Sequence, residues 1–102
     1  TGIASANANV EMQIPQKLEL YMNYPNPFNP VTNFKFFLPT RIAAQLTIYD
    51  VLGKEVQIVL NKTMDAGVHT AQWNAKGKSS GIYICCLKAG KELVSKKIVL
   101  IQ

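Results

Sequence analysis

Hydrophobic and polar residues alternate along short segments of this chain, which is the pattern of half-buried β-strands. In segment 32–38, Phe34, Phe36 and Leu38 fall on one face and Lys35 falls on the other. Similar segments recur about every 8–12 residues, separated by turn-forming residues. We predict seven short strands, at 18–22, 32–38, 45–51, 55–60, 68–74, 82–87 and 93–101. Helical periodicity is almost absent, so the predicted fold is an all-β, Ig-like or fibronectin-like antiparallel β-sandwich.

The alternation also predicts which side chains face the core. In the hairpin formed by 45–51 and 55–60, the expected inward residues are Leu46, Ile48, Val56, Ile58 and Leu60, and Gln57 should then point away from the core. In segment 68–74 we expect His69, Ala71 and Trp73 to share the inward face. Segment 82–87 is dense in β-branched and aromatic residues, which predicts a central strand.

One run interrupts the alternation, and it consists of Tyr24, Pro25, Asn26, Pro27, Phe28, Asn29 and Pro30. The prolines of this proline run fix φ at about −65° and remove backbone donors, which excludes a helix or a central strand. We expect the Asn26 and Asn29 side chains to form Asx turns and Phe28 to be an apolar plug in the core. A polyproline ligand for an aromatic groove is the alternative, although such ligands have a different spacing.

Length and composition restrict the possibilities further. A chain of 102 residues with 48% hydrophobic residues is typical of one globular domain. No run approaches the roughly 18 apolar residues of a membrane span. We expect residues 1–17, rich in Ala, Asn and Gln, to be a linker or N-terminal arm, and residues 18–102 to form the sandwich. Because the first residue is Thr1 and no signal peptide is recognisable, we expect a longer parent chain.

The net charge of +5 arises near the end of the chain, because residues 76–102 hold six lysines against one acid, Glu92. A lysine-rich sheet edge that resists aggregation is the simplest interpretation. An anionic cell-surface polysaccharide is the alternative partner. A single arginine and few exposed aromatic residues argue against nucleic acid.

Residues that could support catalysis are few. The single histidine, His69, lies on a predicted strand, and Asp50 and Asp65 lie in turns, where a carboxylate caps backbone N–H groups. Cys85 and Cys86 are adjacent, so in a strand they point to opposite faces, one thiol in the core and the other partly exposed. Their spacing matches no metal site or disulfide framework. We therefore expect no enzymatic activity, no cofactor and no metal.

Four aromatic residues leave a second function open, and they are Tyr21, Tyr49, Trp73 and Tyr83. On one exposed face they would form a platform for carbohydrate, whereas the aromatic residues of a small sandwich more often fill the core. Exposure of Trp73 and Tyr49 on a flat face would favour a carbohydrate-binding module.

Five motifs, in order, resemble those of a known family. They are the proline run, a hairpin block with Tyr49, Asp50 and Gly53, a block with Gly67 and Trp73, a block with Gly81 and Tyr83, and a terminal strand with Lys96, Lys97, Ile98, Val99 and Leu100. On these motifs the chain resembles the C-terminal sorting domains of type IX secretion (type A, the Por-secretion-tail family). It is also similar to the related FlgD-type Ig-like modules. Gln102 departs from the basic residue on which family members commonly end.

The resemblance implies a non-catalytic address at the C-terminus of a cargo protein. In this family an outer-membrane translocon reads the folded domain after transit through the periplasm. A sortase-like peptidase then usually removes the domain, and the cargo is attached to anionic lipopolysaccharide at the cell surface. Residues 96–100 would carry the sorting signal and residues 1–17 the cleavage region. Because FlgD-type relatives are structural modules, a purely structural Ig-like accessory role in a multidomain extracellular enzyme is the remaining alternative.

Overall fold

The computed structural model describes residues 17–102, so the predicted linker lies outside the described residues except for Lys17. The described chain contains no helix and seven strands: β1 (Glu19–Leu20), β2 (Val31–Leu38), β3 (Ile42–Asp50), β4 (Glu55–Met64), β5 (Gly67–Asn74), β6 (Gly81–Ala89) and β7 (Glu92–Leu100). Nothing in residues 17–102 is a helix long and apolar enough to cross a membrane.

The strands form two antiparallel sheets. One sheet has three strands in the order β1-β2-β5, and the other has four in the order β4-β3-β6-β7. All five strand pairings within the sheets are antiparallel. The predicted all-β sandwich is confirmed, and β6 lies between β3 and β7 as the predicted central strand.

The core follows from the alternation along the strands. β2 buries Phe34, Phe36 and Leu38 and leaves Lys35 exposed. From the facing sheet the core receives the apolar side chains Leu46, Ile48, Cys85, Leu87, Ile98 and Leu100. Fully burying one large apolar side chain contributes about 1.5–3 kcal/mol, so these two apolar faces hold the sheets together.

Strand ends differ from the prediction where pairing with distant strands decides them. β1 is only two residues long and pairs with β2 at Glu19 and Leu20. β4 continues to Met64, four residues beyond the predicted 55–60, because it follows β3 back to Ile42. A partner strand of sufficient length therefore extends a strand past the point where its own alternation fades.

The predicted inward face of β4 is wrong at Ile58, which is 42% exposed. The pairing of β4 with β3 shifts at two places, and Val56 and Val59 have no direct partner there. A β-bulge adds one residue to one strand and so changes which side chains point inward. Val59 packs against the core instead, together with Val56 and Leu60, which were predicted to face inward. Gln57, predicted to point away from the core, accepts a hydrogen bond from the Trp73 indole N–H (3.3 Å).

Candidate recognition site at the C-terminal strand

The proline run lies along the end of β7 and pairs with its backbone. The Phe28 N–H donates to the Val99 carbonyl (3.0 Å), and the Phe28 carbonyl accepts from the Ile101 N–H (2.9 Å). These bonds make a parallel bridge between Phe28 and Leu100. The Asn26 side-chain oxygen accepts from the Val99 N–H (3.1 Å). The run therefore covers the last part of an exposed sheet edge, a position at which unpaired backbone groups promote aggregation.

This pairing corrects the prediction for the two asparagines. The Asn26 side chain reaches a backbone group 73 residues away rather than closing a local Asx turn. The Asn29 side chain is exposed, and within residues 17–102 it makes no hydrogen bond. Asn26 therefore ties the proline run to β7, whereas Asn29 has no such role in the described part of the chain.

Phe28 is the apolar plug that the sequence predicts, with 2% of its surface exposed. Its ring centroid lies 5.7 Å from that of Trp73 on β5, and the Trp73 centroid lies 5.8 Å from that of Tyr83 on β6. Both pairs are tilted or edge-to-face, which are the favourable geometries for aromatic contacts. The Tyr83 hydroxyl donates to the Ser79 carbonyl (2.6 Å). One aromatic row thus joins the proline run to both sheets.

Because Trp73 and Tyr83 belong to this buried row, they do not form the exposed aromatic platform for carbohydrate that the sequence left open. Trp73 is 2% and Tyr83 is 8% exposed, so neither presents a ring face to solvent. Tyr49 is half-buried on β3 and Tyr21 lies beyond β1, where the Lys35 ammonium is 5.7 Å from its ring centroid. The arrangement that would favour sugar binding, Trp73 and Tyr49 exposed on one flat face, is therefore not found, because Trp73 is buried.

A buried polar network fixes the start of the proline run. The Thr32 hydroxyl donates to the Pro25 carbonyl (2.8 Å), and the Asn23 side-chain amide donates to the Thr32 hydroxyl (3.0 Å). At the other end of the run, in a separate contact, the Pro30 carbonyl accepts from the Ala75 N–H (2.9 Å). The alternation along the chain did not predict the hydrogen bonds between Asn23, Thr32 and Pro25. Their signal was Thr32, a polar residue at an inward-facing position of a strand that otherwise places Phe34 and Phe36 there.

The five predicted sorting-signal residues divide into two groups. Ile98 and Leu100 are buried, and Val99 is half-buried with its backbone bound to the proline run. Lys96 and Lys97 are exposed. Successive side chains of a strand point to opposite faces, so Lys97 lies on the outer face of its sheet and Lys96 lies on the same side as Ile98. The lysines are thus accessible to a partner, while the apolar residues hold β7 in place.

An open groove of about 460 Å³ separates the edge strands β1 and β7. It is lined by Lys17, Leu18, Glu19, Leu20, Glu92, Val94, Ser95 and Lys96. β1, which contributes Glu19 and Leu20 to this groove, is only two residues long and belongs to the other sheet. Lys96 lies at this groove, next to apolar side chains from both edge strands.

A second open cleft, of about 540 Å³, lies beside the turn between β3 and β4. The carboxylate of Asp50, one of its lining residues, accepts from the N–H groups of Leu52 and Lys54 (both 2.9 Å), which confirms the predicted cap. Gly53 belongs to the same turn, and its N–H donates to the Asp50 carbonyl (3.0 Å). This carboxylate is therefore occupied in holding the turn.

The other residues that the sequence analysis named, Gly67, Gly81, Asp65 and His69, lie at strand ends or form surface contacts. Gly67 and Gly81 are the first residues of β5 and β6. Asp65 was expected to cap a turn, but its carboxylate forms an exposed ion pair with Arg41 instead. His69 donates from Nε2 to the Asp65 carbonyl (2.7 Å). Residues 17–102 contain no group of three or more His, Cys, Asp or Glu side chains arranged to hold a metal ion.

The two cysteines lie as predicted, Cys85 buried and Cys86 half-buried. Burial, and secondarily the neighbouring Cys86, raises the pKa of Cys85 to about 12. Burial also raises the pKa of Cys86. Because the thiolate is the nucleophilic form, neither environment activates a thiol for catalysis.

Comparison with known proteins gives one family. The family described as the secretion system C-terminal sorting domain matches residues 22–102 of this chain. No curated protein matches. Among solved structures, the chain is similar to PorZ of Porphyromonas gingivalis, described as an essential bacterial surface component of the type-IX secretion system, and to dimeric latent PorU of the same organism.

The two structural similarities concern the fold. PorZ aligns with a TM-score of 0.53 over 83% of this chain, and PorU with a TM-score of 0.60 over 86%, each at 18% sequence identity. The matched region is 11% of the PorZ chain and 10% of the PorU chain. This chain thus spans about a tenth of either protein and shares with each of them one β domain.

Proposed function

Because the chain belongs to the family of secretion system C-terminal sorting domains, we propose that it is a non-catalytic address that directs an upstream cargo through type IX secretion. The observation that carries this proposal is the family match over residues 22–102, which includes the proline run and all of β7. The description of PorZ as a type-IX secretion component supports the choice of pathway.

The proposed sorting function implies which proteins bind the domain. An outer-membrane translocon reads the folded domain, and a sortase-like peptidase cleaves in the linker at 1–17, after which the cargo remains at the cell surface or outside the cell. Transit through the periplasm precedes this step. We assign recognition to the terminal strand, residues 96–100, of which Lys96 and Lys97 are the exposed members. The same lysines suit an anionic surface polysaccharide through long-range attraction.

The physical properties of the domain support this role. A rigid sandwich with its core closed by Phe28 is a compact unit that keeps its shape during transit. The Asp50 carboxylate holds a turn, Asp65 pairs with Arg41 and Cys85 is buried in the core, so these three groups have structural positions.

A secretion assay tests the proposal. Residues 1–102 are fused to the C-terminus of a periplasmic reporter in a bacterium with a working type IX system, and the reporter is located by surface labelling. We expect reporter at the surface with the domain removed, and the new terminus identifies the cleavage site. Replacing Lys96 and Lys97 by Glu should reduce export, while the matched control, Lys54 and Lys62 replaced by Glu, should not. Intact reporter retained in the periplasm would refute the proposal and favour a purely structural module.

A further inference from the structure

Within residues 17–102, about half of the outer edge of β7 has no backbone partner. Val99 directs its N–H and C=O away from β6, toward the proline run. The β6–β7 pairing is regular from Gly81–Leu100 to Ala89–Glu92, and in an antiparallel pair alternate residues direct their backbone groups to opposite sides. The backbone groups of Leu93, Ser95 and Lys97 therefore also face outward. Within residues 17–102 no hydrogen bond outside the strand ladders reaches them.

The proline run marks where this open edge begins. It occupies the backbone of Val99 and Ile101 and ends there, so residues 93–97 remain accessible. A protein normally covers, shortens or charges such an edge, because it is a template for another strand. Here one half is covered by the proline run, and the other half carries Lys96 and Lys97 and has outward backbone groups that no segment of residues 17–102 binds.

The open edge of β7 borders a groove. The groove of about 460 Å³ lies directly beside it, with Val94 and Lys96 on one wall and Leu18 and Leu20 on the other. A strand added to β7 would place alternate side chains in this groove and the others on the outer face beside Lys97. Adding a strand to an exposed sheet edge is an established mode of peptide recognition, in which the backbone supplies affinity and side-chain pockets supply specificity.

The charged residues around the groove indicate what kind of strand would bind there. Lys17 and Lys96 line the groove, together with Glu19 and Glu92, while Lys91 and Lys97 lie at the same edge. A second copy of this chain would bring a second set of lysines to the first, which opposes pairing between identical edges. A strand with carboxylates at neighbouring positions can meet Lys96 on the groove side and Lys97 on the outer side. We propose that the open edge of β7, residues 93–97, binds an extended acidic segment of a partner protein by β-strand addition.

The inference rests on the proposed function for one point, namely that the partner is a component of the secretion machinery. It changes the assignment within the sorting signal. Ile98, Val99 and Leu100 position β7 from the core and the proline run, whereas the backbone of Leu93, Ser95 and Lys97, with the two lysine side chains, contacts the partner.

Ser95→Pro tests the inference in the full reporter fusion. Its N–H faces outward, so proline there removes no bond of the β6–β7 ladder, and proline is tolerated on edge strands at such positions. The variant should keep its thermal midpoint within a few degrees and lower surface reporter about tenfold, the effect of losing roughly 1.4 kcal/mol of binding. The matched control Ser95→Ala keeps the N–H and should be exported like the unmodified fusion.

The outcomes separate the inference from the function. Normal export of a folded Ser95→Pro fusion overturns strand addition and leaves the sorting function intact. Retention of the unmodified fusion overturns both. If Ser95→Pro does not fold, amide hydrogen exchange of the unmodified chain decides. Fast exchange at Ser95 and Lys97, with slow exchange at Lys96, supports an open edge. Slow exchange at all three overturns it, because the edge would then already be covered.

Discussion

Phe28→Ala tests most directly how much the buried side chain of the proline run stabilises the domain. The side chain is 2% exposed and packs 5.7 Å, centroid to centroid, from the Trp73 ring. Removing a buried phenylalanine side chain costs about 3–5 kcal/mol, through lost burial and the cavity that remains. A single domain has only about 5–15 kcal/mol of stability, so this one change removes a large part of it. The aromatic contact adds to the loss, by about 0.5–1.5 kcal/mol.

Urea unfolding measures this loss. Trp73 is the only tryptophan in the sequence, and its fluorescence reports the environment that Phe28 shapes, with circular dichroism as a second probe. With a denaturant dependence of about 2 kcal/mol per molar, a loss of 4 kcal/mol lowers the urea midpoint by roughly 2 M. Phe28→Leu should lose only about 1–2 kcal/mol because it keeps most of the apolar volume.

Tyr24 supplies the matched control for the same loop. It belongs to the proline run but is 78% exposed, so Tyr24→Ala should change the unfolding free energy by less than about 0.5 kcal/mol. A midpoint shift under about 0.5 M for Phe28→Ala, or equal shifts for the two variants, would show that the run is a peripheral loop and that the core does not depend on it.

Three further predictions concern single contacts. Asn26→Ala should lower the unfolding free energy by about 1–3 kcal/mol, because it leaves the Val99 N–H without its acceptor. Hydrogen exchange of the Val99 amide should also become faster. The control Asn29→Ala, at an exposed residue, should change neither the stability nor the exchange rate. Since the pKa of Cys85 rises from 9.0 to about 12 on folding, the unfolded state loses this proton first, and stability falls as pH rises above 9. Between pH 8 and pH 10 the loss should be about 1.4 kcal/mol larger than in Cys85→Ala, and equal pH dependence would contradict it. Gly90 has a φ of 62°, which allows the two-residue turn between β6 and β7. Gly90→Ala should therefore lower the unfolding free energy by about 1–2 kcal/mol, measured by thermal unfolding. An unchanged melting temperature would contradict this.

The fold could be predicted because the alternation is local information. Inward-facing Phe34, Phe36 and Leu38 identify a sandwich face without knowledge of any partner strand. The orientation of β4 could not be predicted in the same way, because two bulges depend on how β4 and β3 pair and displace Ile58 from the core. Nothing near Asn26 in the sequence indicates a bond to Val99, since contacts between residues so far apart depend on the whole topology.

For the proposed recognition site, the sequence indicated the strand but not its accessible part. The lysines at 96 and 97 and the family motif both indicated the last strand. Which half of that strand is free depends on the proline run, which binds Val99 and Ile101 and stops there. The local pattern of residues 92–100 is the same whether or not another segment covers the edge, so only the folded arrangement distinguishes the two halves.

The contact between Phe28 and the end of β7 also relates folding to protein synthesis. Phe28 leaves the ribosome early in the domain, whereas Val99 and Ile101, which bind its backbone, are among its last residues. Because chains are made from the N-terminus, a nascent domain cannot complete this contact until nearly all of it has been translated. A product interrupted before residue 99 would expose Phe28 and leave one end of the core open to proteases and chaperones. Only a domain translated through Ile101 can form this contact, so a product that stops earlier within the domain lacks the covered end of β7.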